Sequence, residues 1–217
     1  MSKIKAYTTA IETAFNGLPT VWDGKTAIIE MKESGYPHWR QMEWIGFYFQ
    51  HLCEQKLAGL FEFQQPKYGR VSFDGFFHIP FDFKAHATNT SSHSIIVNDE
   101  EAIMHALRDY GAVGLIIAMG DVVYNDENRS FQKWHDDFKG KTSEYVLRNR
   151  ERGAWSRFRK HNMTLRQITI VELTKTSLMK CGSFQTSCRN SNGNIRRAKI
   201  LIDLEKLDTE IVHSINY

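Results

Sequence analysis

The 217 residues, 41% hydrophobic and 24% charged, fill one core and are marginal for two, and they exclude a disordered or low-complexity chain. No apolar run approaches the roughly 20 residues of a membrane span, and MSKIKAYTTAIETAFN lacks the apolar block of a signal peptide, so a cytoplasmic setting without a membrane partner is expected. The formal net charge is only +3, but residues 1–140 are net acidic and residues 141–217 net basic, which suggests a polyanionic partner met chiefly by the last third.

In chain order, residues 1–16 read as an amphipathic helix and GLPTVWDGKTAIIEMKESGYP as a loop or short irregular segment. Met42, Ile45, Phe49 and Leu52, at three- and four-residue spacing, predict a long helix from His38 to about Leu57, ended by Gly59. Arg70–Gly75 and Pro80–Ala87 read as two strands joined around His78. SIIVN predicts a third strand, with Asn98 or Asp99 capping a helix to about Tyr110. AVGLIIAMG, short, almost wholly apolar and bounded by glycines, suits a central buried strand. A helix from Asn128 to Lys139, a basic helix from about Ser143 to Lys160, and strands QITIVEL and AKILIDL complete the chain. The order predicts an α/β (α+β) fold, a mixed central sheet flanked by helices, in one domain over residues 1–217. Cys53, Cys181 and Cys188 form no CxxC pair, which fits idle thiols in a reducing compartment.

Two basic clusters stand out in the last third. Arg148, Arg150, Arg152, Arg157, Arg159 and Lys160 fall in one stretch with Trp155 and Phe158 between them, and Arg189, Asn192, Asn194, Arg196 and Arg197 mix arginines with asparagines. Arginine binds phosphates and guanine edges and asparagine suits adenine, so both clusters fit contacts to a nucleic-acid groove.

The chemistry concentrates in VSFDGFFHIPFDFKAHA, residues 71–87. Asp82 and Lys84 are two apart and share one face of a strand, with His86 continuing it. A hairpin folded about His78 places Asp74 opposite Asp82, and like charges so placed destabilise a strand pair unless something compensates. A divalent cation held by both carboxylates is the economical answer, with the Lys84 ammonium beside it to orient a water or help its deprotonation. Glu43, Gln50 and Glu54 fall near one stripe of the preceding helix, which Gly46 keeps partly open. His78, His86, Asn89 and His93 lack the spacing of a His-Asn-His nuclease, and no phosphate-loop, GxGxxG, GxSxG, HExxH or paired-cysteine zinc motif is present.

Asp74 followed by Asp82-Phe83-Lys84 on a second strand resembles the PD-(D/E)xK nuclease superfamily, which includes type II restriction endonucleases of about this size. The likeness covers about residues 38–120, as a catalytic core, and includes the order of helix, active-site hairpin, helix and buried strand; the basic part at about 141–217 would contact DNA. No proline precedes Asp74, and the gap between the acids is short. The resemblance implies a Mg2+-dependent, site-specific double-stranded DNA endonuclease that leaves 5′-phosphate and 3′-hydroxyl ends, acts as a homodimer and has a cognate DNA methyltransferase. It implies Asp74, Asp82 and the Phe83 carbonyl as Mg2+ ligands, with Glu43 assisting and Glu54 in reserve, and Lys84 positioning the attacking water. Base and phosphate contacts are expected from His86, from Thr88, Asn89 and the residues to His93, and from the two basic clusters. A repair or structure-directed nuclease of the same fold and a non-catalytic DNA-binding protein are the alternatives.

Overall fold

In the computed structural model, residues 4–63, 67–68, 71–125, 127–140, 142, 144–153, 158–186 and 194–217 are described. The elements run α1 (Ile4–Ala14), β1 (Val21–Asp23), α2 (Gly24–Glu33), α3 (Trp44–Lys56), β2 (Lys67–Tyr68), β3 (Val71–Ser72), β4 (Gly75–Phe77), β5 (Ile79–Ala87), β6 (Ser94–Asp99) and α4 (Glu100–Tyr110). There follow β7 (Ala112–Tyr124), α5 (Ser130–Phe138), α6 (Glu144–Glu151), β8 (Lys160–Thr174), α7 (Lys175–Cys181), β9 (Gly182–Gln185), β10 (Lys199–Asp203) and β11 (Val212–Asn216).

The apolar run beginning at Ala112 becomes the axis of the molecule. β7 lies mid-sheet in the order β1-β8-β7-β5-β4, and β11 shares the outer edge of β8 with β1. β5 runs parallel to β7, and the other pairs are antiparallel, so the sheet is mixed. Alternate residues of β7 serve opposite layers, as strand geometry requires. Ile116 and Ala118 meet Phe81, Phe83, Ile170 and the helical layer of Ile11, Phe15, Ile28, Met31 and Phe49. Leu115 and Ile117 meet Ile103 and Ala106 of α4 and a second sheet, ordered β6-β10-β9, through Val97 and Ile202. Both faces are covered, which is why the strand reads as a continuous apolar run.

The expected mixed sheet flanked by helices is thus present, with corrections at the level of elements. The stretch read as a loop after α1 contains β1 and α2: Asp23 accepts a hydrogen bond from Thr26 N at 2.9 Å and starts the helix, and Trp22, Ile28 and Met31 are buried. The long helix begins at Trp44, because residues 37–42 form turns, with Gln41 N donating to His38 O. SIIVN belongs to the second sheet and not to the main one. The basic helix stops at Glu151, with Gly153 beyond it in the left-handed region at φ 65°, and the chain enters β8 already at Lys160. Strands β9 and β11 and helix α7 had no sequence expectation. Among the described residues, no helix is long and apolar enough to cross a membrane, and Cys53 and Cys181 are buried free thiols.

Glycine is demanded where β5 and β7 touch. Gly114 pairs with the fully buried Phe81, and a Cβ there would lie 2.1 Å from the phenyl ring. Gly46, within α3, has nothing within 4 Å of such a position. Gly114→Ala is expected to destabilise the protein by about 1–3 kcal/mol in urea unfolding, whereas Gly46→Ala is expected to stabilise it by up to about 1 kcal/mol through helix propensity.

Candidate active site

The β4–β5 hairpin turns at His78, which adopts φ 61°, and pairs Phe77 with Ile79, Phe76 with Pro80 and Gly75 with Phe81. Asp74 is therefore the next residue in register, opposite Asp82. The first strand expected there is broken, and Asp74 sits just outside β4. Its N–H still donates to Phe81 O at 2.9 Å, and its Oδ2 then accepts from Phe83 N at 2.7 Å. A carboxylate thus occupies the ladder position of a main-chain carbonyl. The N–H and C=O of one strand residue point to the same edge, so the Phe83 carbonyl opens toward the Asp74 side.

Asp82 lies next to Phe83 on β5 and is 1% exposed. Its Oδ2 accepts from Asn98 Nδ2 at 2.9 Å, with Oδ1 at 3.3 Å, and Lys84 Nζ stands 3.5 Å from Oδ2. Burial pushes the Asp82 carboxyl up to about 6; Lys84 and Asn98 oppose the rise and Asp74 adds to it. Asp74 is also raised by burial, against the pull of Lys84, the Phe83 N–H and His38. Two carboxylates therefore share a dry corner with one ammonium.

The wall behind Asp74 comes from α3 and the turns before it. Glu54 is raised by burial and by Asp74, while Gln50 donates to its Oε1 at 3.2 Å. The Tyr36 hydroxyl, driven well above its ordinary range by burial and by Glu54, completes that side. Glu43 sits elsewhere. It is the residue preceding α3, its Oε1 accepts from Arg159 Nη1 at 3.3 Å, and it lines a hollow with His86, Gly46 and Lys160. Eleven residues of helix put it roughly 16 Å along the axis from Glu54. The expectation that Glu43 serves the carboxylate pair is corrected on this geometry: Glu54 is the helical glutamate that faces Asp74. Charge pattern alone nominated both, and helix direction decides between them.

The donor chemistry fits a hard divalent cation. Mg2+ is commonly bound by one or two carboxylates, with water and substrate phosphate filling its shell, and Asp74, Asp82 and the Phe83 carbonyl offer such oxygens. Among the described residues, no group of three or more His, Cys, Asp or Glu side chains is arranged as a metal cage.

The expected nucleic-acid contacts divide. His86 continues the face of Asp82 and Lys84 and is half-buried. Asn89 is exposed, and its Nδ2 donates to Val122 O and its Oδ1 accepts from Val122 N, both at 2.9 Å, so its amide extends the sheet. The Thr88 hydroxyl donates to Asp121 Oδ1 at 2.7 Å. Arg159 is corrected, since its side chain is largely buried and paired with Glu43. Arg148 is exposed on α6, four residues from its partner Glu144, and Arg152 is exposed just beyond that helix. Asn194 and Arg196 are exposed, and Arg197 pairs with Asp99 at 3.1 Å. Arg157, Arg189, Asn192 and the side chain of Arg150 lie outside the described residues. Asn98 was missed as a site residue; its position before an acidic helix start suggested only a cap, and Asp99, at that cap position, makes no side-chain cap bond.

No protein-family model matches the chain. No curated protein matches it. Among solved structures, that of the restriction endonuclease BglI bound to its DNA recognition sequence aligns with 98% of this chain and 85% of its own, at 10% identity and a TM-score of 0.38.

A buried Asp82 held above its unfolded value contributes stability below that value, and the contribution is lost as pH rises through about 6. Asp82→Asn in EDTA is therefore expected to stabilise the protein at pH 7.5, by on the order of 2 kcal/mol, with the gain vanishing by pH 4. Urea unfolding at the two pH values measures it.

Proposed function

We propose that this chain is a Mg2+-dependent endonuclease of the PD-(D/E)xK type with a restriction-endonuclease-like core, cutting double-stranded DNA at a specific sequence as a type II restriction enzyme. The observation that supports the reading is the burial of Asp74 and Asp82 in one corner of the β5 edge, with the Lys84 ammonium on the face of Asp82. Asp74, Asp82 and the Phe83 carbonyl would hold Mg2+, with Glu54 behind Asp74. When bound, Mg2+ supplies positive charge against the negative charge that gathers on the scissile phosphate. Lys84 orients the attacking water and favours its deprotonation, as a fixed ammonium near the nucleophile does in a water-poor site. The water displaces the 3′ oxygen in line, leaving 5′-phosphate and 3′-hydroxyl ends.

His86 lies farther along the same face of β5, in the hollow it shares with Glu43 and Lys160, and would contact the DNA backbone there. Arg148 and Arg152 on and after α6, and Asn194 and Arg196 before β10, are exposed members of the basic clusters and would contact DNA. Cutting both strands of a duplex is simplest with two copies of the site, hence a homodimer, and a cognate methyltransferase would protect the host's own targets.

Purified protein acting on long unmethylated DNA is expected to give discrete fragments with Mg2+ and none with EDTA. Lys84→Ala is expected to lower the rate by at least about 100-fold. A Mg2+-dependent smear would redirect the reading to a nuclease without sequence specificity, and salt-sensitive binding without cutting would overturn catalysis. In the same assay Glu54→Gln is expected to raise the Mg2+ concentration for half-maximal cleavage, and Glu43→Gln is expected to leave it unchanged.

A further inference from the structure

Resting on that nuclease reading, we infer that Asn98 is a positioning residue for Asp82, presented to it by the second sheet. Three observations carry this. Asn98 Nδ2 reaches both oxygens of a carboxylate that is 1% exposed. The amide can be oriented only one way, because Asn98 Oδ1 accepts from Asp99 N at 2.8 Å; the oxygen is committed there, and the NH2 must face Asp82. The backbone at this point is also irregular. β6 and β10 pair Ile96 with Leu201 and Asp99 with Lys199, so β6 carries one extra residue within Val97–Asn98. A bulge of this kind re-aims a side chain, and such bulges gather near active sites.

The support behind Asn98 is firm. Asp99 is buried and paired with Arg197 at 3.1 Å and with Lys199, and Glu100 N donates to Ala198 O at 2.9 Å. The start of β10 thereby clamps the residue that orients the Asn98 amide. The choice of an amide is chemically apt. A second ammonium beside Lys84 would repel a cation from Asp82, whereas a neutral donor fixes the carboxylate's rotation and leaves its charge for the metal. The groups facing Asp82 besides Asn98 are Asp74 and Lys84; Lys84 also donates to this carboxylate, as a charged partner, and Asn98 is its neutral donor.

The test separates cation binding from DNA binding. Asn98→Leu retains side-chain bulk and removes the donor. It is expected to weaken calorimetrically measured Mn2+ binding, and to raise the Mg2+ concentration for half-maximal cleavage, by about tenfold, as loss of an outer contact to a metal ligand commonly does. DNA affinity in EDTA is expected to stay at its wild-type value, while the melting temperature falls, because leucine leaves Asp82 and the Asp99 N–H without this partner. Asn98→Ser, which keeps a polar group beside Asp99 and withdraws the amide, provides the same readouts if the leucine variant folds poorly. Unchanged Mn2+ and Mg2+ responses in a cleaving wild-type background would overturn the role of Asn98 and leave the nuclease reading standing. A wild-type protein that neither binds Mn2+ nor cuts would overturn both.

Discussion

Two carboxyl groups in one poorly hydrated corner cannot both ionise without compensation, and most of the local architecture here follows from that repulsion. Burial disfavours the charge on each, and each disfavours it on the other. The chain answers with directed donors: the Phe83 N–H on Asp74, the Asn98 amide on Asp82, and the Lys84 ammonium near both. These donors moderate the repulsion without cancelling it. The residual repulsion is what the proposed cation would relieve, because a fully neutralised pair would have little left to gain.

The corner is held by independent parts of the fold. Asp82 is placed by β5, whose register with β7 is continuous from Phe81 to Ala87. Asp74 is placed by the hairpin, through its own N–H and carboxylate. Asn98 comes from the second sheet, and Glu54 from a helix on the opposite side of the main sheet. The central sheet thus separates two apolar layers while its edge collects polar groups from both. That edge is where a strand lacks a continuous main-chain partner, and it is the one part of a buried sheet open to a substrate.

Much of this was legible in residues 71–87, because strand alternation and hairpin symmetry are rules of spacing. The opposition of Asp74 to Asp82 follows from the turn at His78 alone, and the central strand follows from its unbroken apolar run. Tertiary placement was not legible. Glu43 and Glu54 share a helical stripe, and only the direction of α3 against β5 tells which end meets the aspartates. Asn89 and Arg159 have the side chains of base and phosphate readers, yet one completes a ladder and the other is enclosed beside Asn125, whose Oδ1 accepts from Arg159 N at 2.6 Å. Asn98 escaped notice because a bulge breaks the period-two pattern on which strand reading depends. β1 and α2 were hidden in a segment whose glycines and prolines dominate its local signal.

The hairpin also sets a rule for divergence. Asp82 is fixed by pairing with β7, but Asp74 depends on counting residues around His78. A one-residue insertion or deletion in that turn would leave the pairing of β5, β7 and β8 intact while shifting the register of β4. It would thereby carry Asp74 out of step with Phe83. A descendant of this chain can therefore keep every acidic residue and still lose the opposition of Asp74 to Asp82, with turn length as the visible trace of the loss.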